Sequence, residues 1–281
     1  MFCINNKDKS FLYDDEVTET ITRIPEIITC KYSSAGNRKY QQDAVYVSEG
    51  KKIAANKETR LLAAVCDGMG GMAAGERAST TAIKMLTDGF KKIEKEPNIN
   101  IPMFFRSGIR AIDSVINSFP KENGKGSGTT MVAVITECNR LYWASVGDSR
   151  IYLLRGDEIK LVTRDHNYYL RLQQMVEQGQ ISAEQAENEK QKEALISFLG
   201  IGNVTLMDVI DKPFEMRSGD MVVLCSDGVT KTLSKEKIKR ILTNESVEIQ
   251  QKAKILVEAA IRENTRSQDN TSVVILQYIE K

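Results

Sequence analysis

Four aspartates in this chain share one setting, a point where an apolar, strand-like run meets small residues. Asp67 follows "LLAAVC" and opens "DGMGG", and Asp227 follows "MVVLC" in "SDGVT". Asp148 stands behind Gly147 in "WASVGDSR", and Asp269 precedes "NTSVVIL". A fifth, Asp43, opens "DAVYVS". Asp beside Gly at a strand end is ordinary turn chemistry, so each one alone reads as a turn. Together they carry a different implication. Carboxylates brought to one rim of a sheet repel one another unless cations sit among them. Oxygen donors without accompanying His or Cys select hard cations, Mg²⁺ or Mn²⁺ over Zn²⁺. Glycines beside Asp67 let the backbone come close enough for a carbonyl to join such a site. No D-x-[DN]-x-[DN]-G loop is present, which excludes an EF-hand. The chain has a single histidine, His166, so carboxylates must carry most of the chemistry.

The elements that would position these acids are legible in the apolar pattern. Strand-like runs recur at "EIITCKYSS", "DAVYVS", "RLLAAVC", "TTMVAVIT", "RLYWASV", "IYLLR", "IKLVT", "DMVVLC" and "TSVVILQYI". The links "ECN" and "RGDE" suit hairpins and are too short for parallel crossovers, so the sheet is expected to be largely antiparallel. Helical periodicity marks "MAAGERASTTAIKMLTDGFKKI", "IPMFFRSGIRAIDSVINSF" and "SVEIQQKAKILVEAAIREN". Runs such as "LLAAVC" are apolar on both faces, as a sheet covered on each side requires. The expectation is an α+β fold of stacked antiparallel sheets with outer helices. A polar, helical insertion at about residues 167–200 interrupts the strand series. Residues 1–25 read as an N-terminal extension to one domain spanning 26–281.

Composition narrows the function classes. Thirty-nine basic against 38 acidic residues leave a formal charge of +1, which argues against nucleic-acid or anionic-membrane partners. The longest apolar runs fall far short of the roughly 18 residues of a transmembrane helix, and no signal-peptide pattern opens the chain. A cytoplasmic location is expected. The five cysteines form no CxxC pair and read as buried, reduced thiols. Gly68, Gly70 and Ala73 fit the dinucleotide pattern G-x-G-x-x-A after a strand. That reading fails, because Asp67 would face the pyrophosphate with like charge and an antiparallel sheet lacks the parallel unit. "GKGSGTT" lacks the order of a phosphate-binding P-loop and reads as a turn into a strand.

The ordered set "GNRKYQQDA", "AVCDGMGG", "SGTTMVAVI", "ASVGDSRIYLLR", "VTRDHN", "LCSDGVT" and "SQDNTSVVIL" resembles the metal-dependent protein phosphatase (PPM) family, the type 2C Ser/Thr phosphatases, in its bacterial form. The resemblance covers about residues 26–280, and the insertion falls where that family carries its flap. It implies a β-sandwich of two antiparallel sheets flanked by helix pairs, in four αββα layers. It implies hydrolysis of phosphoserine and phosphothreonine by a hydroxide that bridges two metal ions, Mn²⁺ or Mg²⁺. Asp67 would bridge both ions, Asp227 and Asp269 would complete the first site, and the Gly68 carbonyl would bind the second. Asp148 would join Asp227 at a third ion. Arg38 would grip the phosphate through its guanidinium fork, a role otherwise read as a surface ion pair. Asp43 and Gln42 would support the metal shell. Met69 stands where many relatives place a histidine proposed as general acid. The implied partners are phosphorylated proteins and a cognate Ser/Thr kinase, with the chain acting as a monomer. The alternative is a catalytically weak relative that binds phosphoproteins.

Overall fold

Why several strands are apolar on both faces becomes clear from what each face touches. The computed structural model describes residues 25–52, 59–70, 73–121, 124, 126–264 and 266–280. Residues 1–24 of the expected extension lie outside the described residues. One sheet runs in the order β1 (Pro25–Ser34), β13 (Thr271–Glu280), β12 (Met221–Cys225), β8 (Arg150–Arg155), β9 (Glu158–Leu161). The second runs β10 (Asp208–Val209), β7 (Arg140–Val146), β6 (Met131–Glu137), β4 (Thr59–Met69), β2 (Asp43–Val47). The short strands β3 (Lys51–Lys52) and β5 (Gly128–Thr129) pair with β4, and β11 (Phe214–Glu215) pairs with β7. Every pairing among these strands is antiparallel, as the short links require.

The helices, in chain order, are α1 (Ala73–Ile93), α2 (Ile101–Asn117), α3 (Tyr168–Glu177), α4 (Ala183–Asn188), α5 (Asp227–Thr230), α6 (Lys235–Leu242) and α7 (Ile249–Glu263). Along β4, Leu62, Ala64 and Cys66 pack under α1 and α2. Leu61, Ala63 and Val65 alternate with them and face the other sheet. On β12 the same alternation sends Val223 and Cys225 under α6 and α7, while Val222 and Leu224 enter the space between the sheets. Four layers result, helices outside and sheets inside.

Helix α2 shows how the outer layer is fixed. Asn100 caps it by accepting the Met103 N–H at 2.9 Å, and Pro102 sits in its first turn. Ile101, Phe105, Ile109, Ile112 and Ile116 form its buried stripe. Asp113, on the same helix and 2% exposed, accepts N–H bonds from Gly200 (2.8 Å), Gly202 (3.1 Å) and Val204 (2.9 Å). These bonds tie α2 to the loop by which the helical insertion returns to the core. Asp113→Ala is therefore expected to cost about 3 kcal/mol or more, since it strands three inward-facing donors. Urea unfolding checks this, and a loss below about 1 kcal/mol would show that the three bonds do not hold the loop.

The insertion spans the chain between β9 and β10 and contains α3 and α4. Its two ends are pinned by isolated bridges, Asn167 to Leu195 and Leu199 to Thr129. Cys66 and Cys225 are buried free thiols, as expected. Cys30 and Cys138 are likewise outside any disulfide but only half-buried, which corrects the expectation for those two; Cys138 sits in the turn between β6 and β7, and Cys3 lies outside the described residues.

Candidate active site

The antiparallel topology carries the five aspartates to one rim. Strands β4, β7 and β12 end where β2, β8 and β13 begin. Asp67 lies within the last residues of β4 and pairs in register with Asp43, the first residue of β2. Asp148 occupies the turn from β7 to β8, Asp227 follows β12, and Asp269 precedes β13. A cavity of about 280 Å³ opens there, and Arg38, Gln42, Asp67, Gly68, Asp148, Asp227 and Asp269 all line it. Asp43 lies just beneath, buried.

Local structure holds each acid in place. The Asp67 backbone is clamped on both sides, its N–H donating to Thr130 Oγ1 at 3.0 Å and its carbonyl accepting from Thr130 N at 2.9 Å and Thr129 Oγ1 at 2.8 Å. Gly68 can only be glycine here, because a Cβ would lie 2.2 Å from the Gly75 carbonyl oxygen and 2.6 Å from that of Gln42. Gly147 adopts φ +102°, and an added Cβ would strike Thr130 at 2.6 Å. Asp148 is thus aimed by a turn that a larger residue would distort. His166, fully buried, accepts the Gly147 N–H at Nδ1 (3.2 Å), while its own carbonyl accepts from Ile196 N at 2.9 Å. It joins the Asp148 turn to the returning insertion and does not line the cavity.

Arg38 projects from the loop between β1 and β2, and Asn270 holds that loop. The Asn270 side chain donates to the Ala35 and Tyr40 carbonyls, both at 3.0 Å, and accepts the Gln42 N–H at 2.7 Å. The Gln42 carbonyl in turn accepts from Gly68 N at 3.1 Å and from Ser79 Oγ at 2.6 Å. Gln42 therefore links the Arg38 loop to β4 and α1.

The electrostatics are those of a crowded anion site. Burial, reinforced by the negative charges of Asp43, Asp227 and Asp148, holds the Asp67 carboxyl well above the usual range. Burial also raises Asp43 to about 7, despite the hydroxyl of Ser226 donating to its Oδ2 at 2.8 Å. Asp43 Oδ1 is buried without a hydrogen-bond partner. Asp148 is raised to about 6, again by burial and then by Asp227. Among the described residues these side chains do not form a ready-made chelate of three. Asp269 is turned to Arg38, with a 2.7 Å ion pair, and Asp227 is paired with Lys231.

The donor set nonetheless fits divalent cations. It offers only oxygen, it carries an unpartnered buried carboxylate oxygen, and burial together with the neighbouring carboxylates pushes its acids above their ordinary values. A stability consequence follows. Acids with raised values bind more protons folded than unfolded between about pH 4 and pH 7, so the metal-free protein loses stability as pH rises through that window. Thermal unfolding in chelator is expected to show a melting temperature lower at pH 8 than at pH 5. Saturating Mn²⁺ is expected to remove that difference, and a chelated protein more stable at pH 8 would contradict the charge account.

Three residues at the rim were not singled out from sequence. Thr130 clamps Asp67 and lines the cavity, Asn270 holds the Arg38 loop, and Lys231 pairs with Asp227. Only Lys231 carried a usable signal, its four-residue spacing from Asp227 in "DGVTK". Glu193 and Leu195 of the insertion also reach the cavity.

Comparison with known proteins agrees with this geometry. The family model described as Protein phosphatase 2C matches residues 32–172. The chain is 30% identical over 225 residues to a serine/threonine phosphatase, Stp, of Listeria innocua, covering 79% of this chain and 86% of that protein. The solved serine/threonine phosphatase of S. agalactiae superposes with a TM-score of 0.76 at 27% identity, covering 91% of this chain and all of the other. A catalytic domain of the phosphatase PstP, solved in complex with two manganese ions, gives a TM-score of 0.68 at 30% identity and covers 92% of this chain and 100% of that one. The two-sheet fold, the seven motifs in order and these relatives place the chain in the protein phosphatase 2C family of serine/threonine phosphatases.

Proposed function

We propose that this enzyme removes phosphate from phosphoserine and phosphothreonine of proteins at the rim cavity, by direct attack of water on phosphorus. The observation that carries the reading is the convergence of Arg38, Asp67, Gly68, Asp148, Asp227 and Asp269 around one cavity. Asp67, Asp227, Asp269 and the Gly68 carbonyl would hold two divalent ions, Mn²⁺ or Mg²⁺, with Asp43 and Gln42 supporting them. Those ions, when bound, supply an activated water near neutral pH and positive charge for the phosphoryl oxygens. The PstP relative with two manganese ions supports that assignment.

The remaining work falls to the chain itself. Arg38 is 59% exposed in its side chain, so its planar fork faces solvent at the cavity mouth, suited to two phosphoryl oxygens at once. Its partner Asp269 must exchange that ion pair for a cation. The deeper acids keep a fixed position because β4 and the Gly147 turn are clamped from behind. Met69, at the end of β4, has a thioether that cannot donate a proton to the departing serine or threonine oxygen.

We take residues 26–281 as the phosphatase domain, with the insertion at about 167–200 as a flap over the cavity edge. The proposal includes a cognate Ser/Thr kinase as the source of substrate, a monomeric state and a cytoplasmic location. Among the described residues no helix is long and apolar enough to cross a membrane.

Phosphate release from phosphothreonine, phosphoserine and phosphotyrosine peptides in Mn²⁺ tests the substrate class. Turnover of the first two well above the third is expected, and equal or greater turnover of phosphotyrosine would overturn the reading. Arg38→Ala is expected to raise KM about tenfold or more with a smaller fall in kcat, because the guanidinium grips phosphate in ground and transition states alike. Unchanged kinetics on the phosphothreonine peptide would return Arg38 to a surface ion pair.

A further inference from the structure

We infer that Lys231 is a built-in counter-ion that takes the place of a third divalent cation beside Asp148 and Asp227, so that this site holds two ions. The inference rests on the metal-site reading above and adds a role for a residue outside its ligand set. Lys231 stands one helical turn after Asp227, its backbone N–H donating to the Asp227 carbonyl at 2.8 Å. That i,i+4 geometry lays the lysine stem over the aspartate, and the ammonium forms an ion pair with Asp227 Oδ2. Lys231 lines the same cavity as Asp148 and Asp67, whose negative charges act on its ammonium.

Asp148 and Asp227 are the two acids that the family resemblance assigns to a third ion. In this chain a tethered positive charge already pairs with Asp227 and shares the cavity with Asp148. A cation linked through one turn of backbone competes at a high effective concentration, on the order of millimolar or above, and is never diluted away. Any divalent ion arriving at the same pair meets the ammonium at short range, and like charges a few ångströms apart in a partly buried site repel strongly. Lysine is suited to this, because its compact charge rides on a flexible stem with three donors that can serve more than one carboxylate. The half-exposed side chain, 55% accessible against 15% for Asp227, lies on the solvent side of the pair.

Manganese binding to the full chain tests the inference without reference to turnover. Calorimetric titration with Mn²⁺ alone, together with counting of free Mn²⁺ by electron paramagnetic resonance, is applied to the wild type, Lys231→Met and Lys231→Arg. The wild type and Lys231→Arg are expected to bind two ions, while Lys231→Met takes up a third with a Kd at least tenfold lower than any third event in the wild type. A third-ion affinity in Lys231→Met equal to that of the wild type overturns the counter-ion role and leaves the two-ion reading standing. A third ion in Lys231→Arg as tight as in Lys231→Met also overturns it, since shape and not charge would then be responsible. Absence of Mn²⁺ binding in all three proteins overturns the metal-site reading, and this inference with it. Far-ultraviolet circular dichroism confirms that each variant is folded.

Discussion

Asp67→Asn is expected to lower kcat/KM on a phosphothreonine peptide by roughly 10³-fold or more, since several kcal/mol of metal-derived stabilisation would be lost at about 1.4 kcal/mol per decade. The substitution keeps the shape of the side chain and the backbone clamp from Thr129 and Thr130, so the fold is expected to persist. Its effect on stability separates it from ordinary core damage. Asp67 is buried against the charges of Asp43, Asp227 and Asp148, and removing one negative charge relieves that repulsion. The metal-free variant is therefore expected to melt at or above the wild-type temperature at pH 8. With Mn²⁺ the order reverses. A ligand at 100 times its Kd stabilises a native protein by about 2.7 kcal/mol, and the variant forfeits most of that gain. Differential scanning calorimetry with and without Mn²⁺ reads both effects. Near-normal turnover together with an unchanged Mn²⁺-induced shift would remove Asp67 from the metal site.

The sequence made the strands, the three long helices and the two-sided burial legible because each rests on local periodicity. The alternation Leu61, Ala63, Val65 against Leu62, Ala64, Cys66 is visible as an uninterrupted apolar run, and the structure assigns its two halves to two different layers. Strands β10 and β11 were not legible, since two residues carry no period and their pairing with β7 is a tertiary event. Helix α6 was missed for a related reason, as eight residues with few apolar positions give a weak signal, although Ser234 caps it by accepting the Lys237 N–H at 3.3 Å.

The site divides along the same line. The carboxylates could be found because Asp before or after Gly at a strand end is a local feature, and their meeting at one rim follows from antiparallel strand order. What a sequence could not display is how those acids are partnered. Asp269 engages Arg38 across 231 positions of chain, and Asn270 reaches back to the Arg38 loop across comparable separations. Such contacts depend on β1 and β13 lying side by side over ten residue pairs, from Pro25 with Glu280 to Ser34 with Thr271. The partly buried Lys231 belongs to both categories, local in its spacing from Asp227 and tertiary in sharing a cavity with Asp148.

Metal removal has the other large expected effect, and it bears on the central claim that oxygen ligands at this rim carry the chemistry. Among the described residues no histidine or cysteine lines the cavity, so neither a phosphohistidine nor a phosphocysteine route stands in for the ions. Activity without them should fall by roughly 10³-fold or more, on the same conversion of several kcal/mol into rate. The most direct measurement is phosphate release from a phosphothreonine peptide by the full chain in three conditions: excess EDTA, EDTA followed by excess Mn²⁺, and EDTA followed by excess Zn²⁺. Background release in EDTA, full recovery with Mn²⁺ and poor recovery with Zn²⁺ is the predicted result. Undiminished phosphate release after exhaustive chelation would contradict the account.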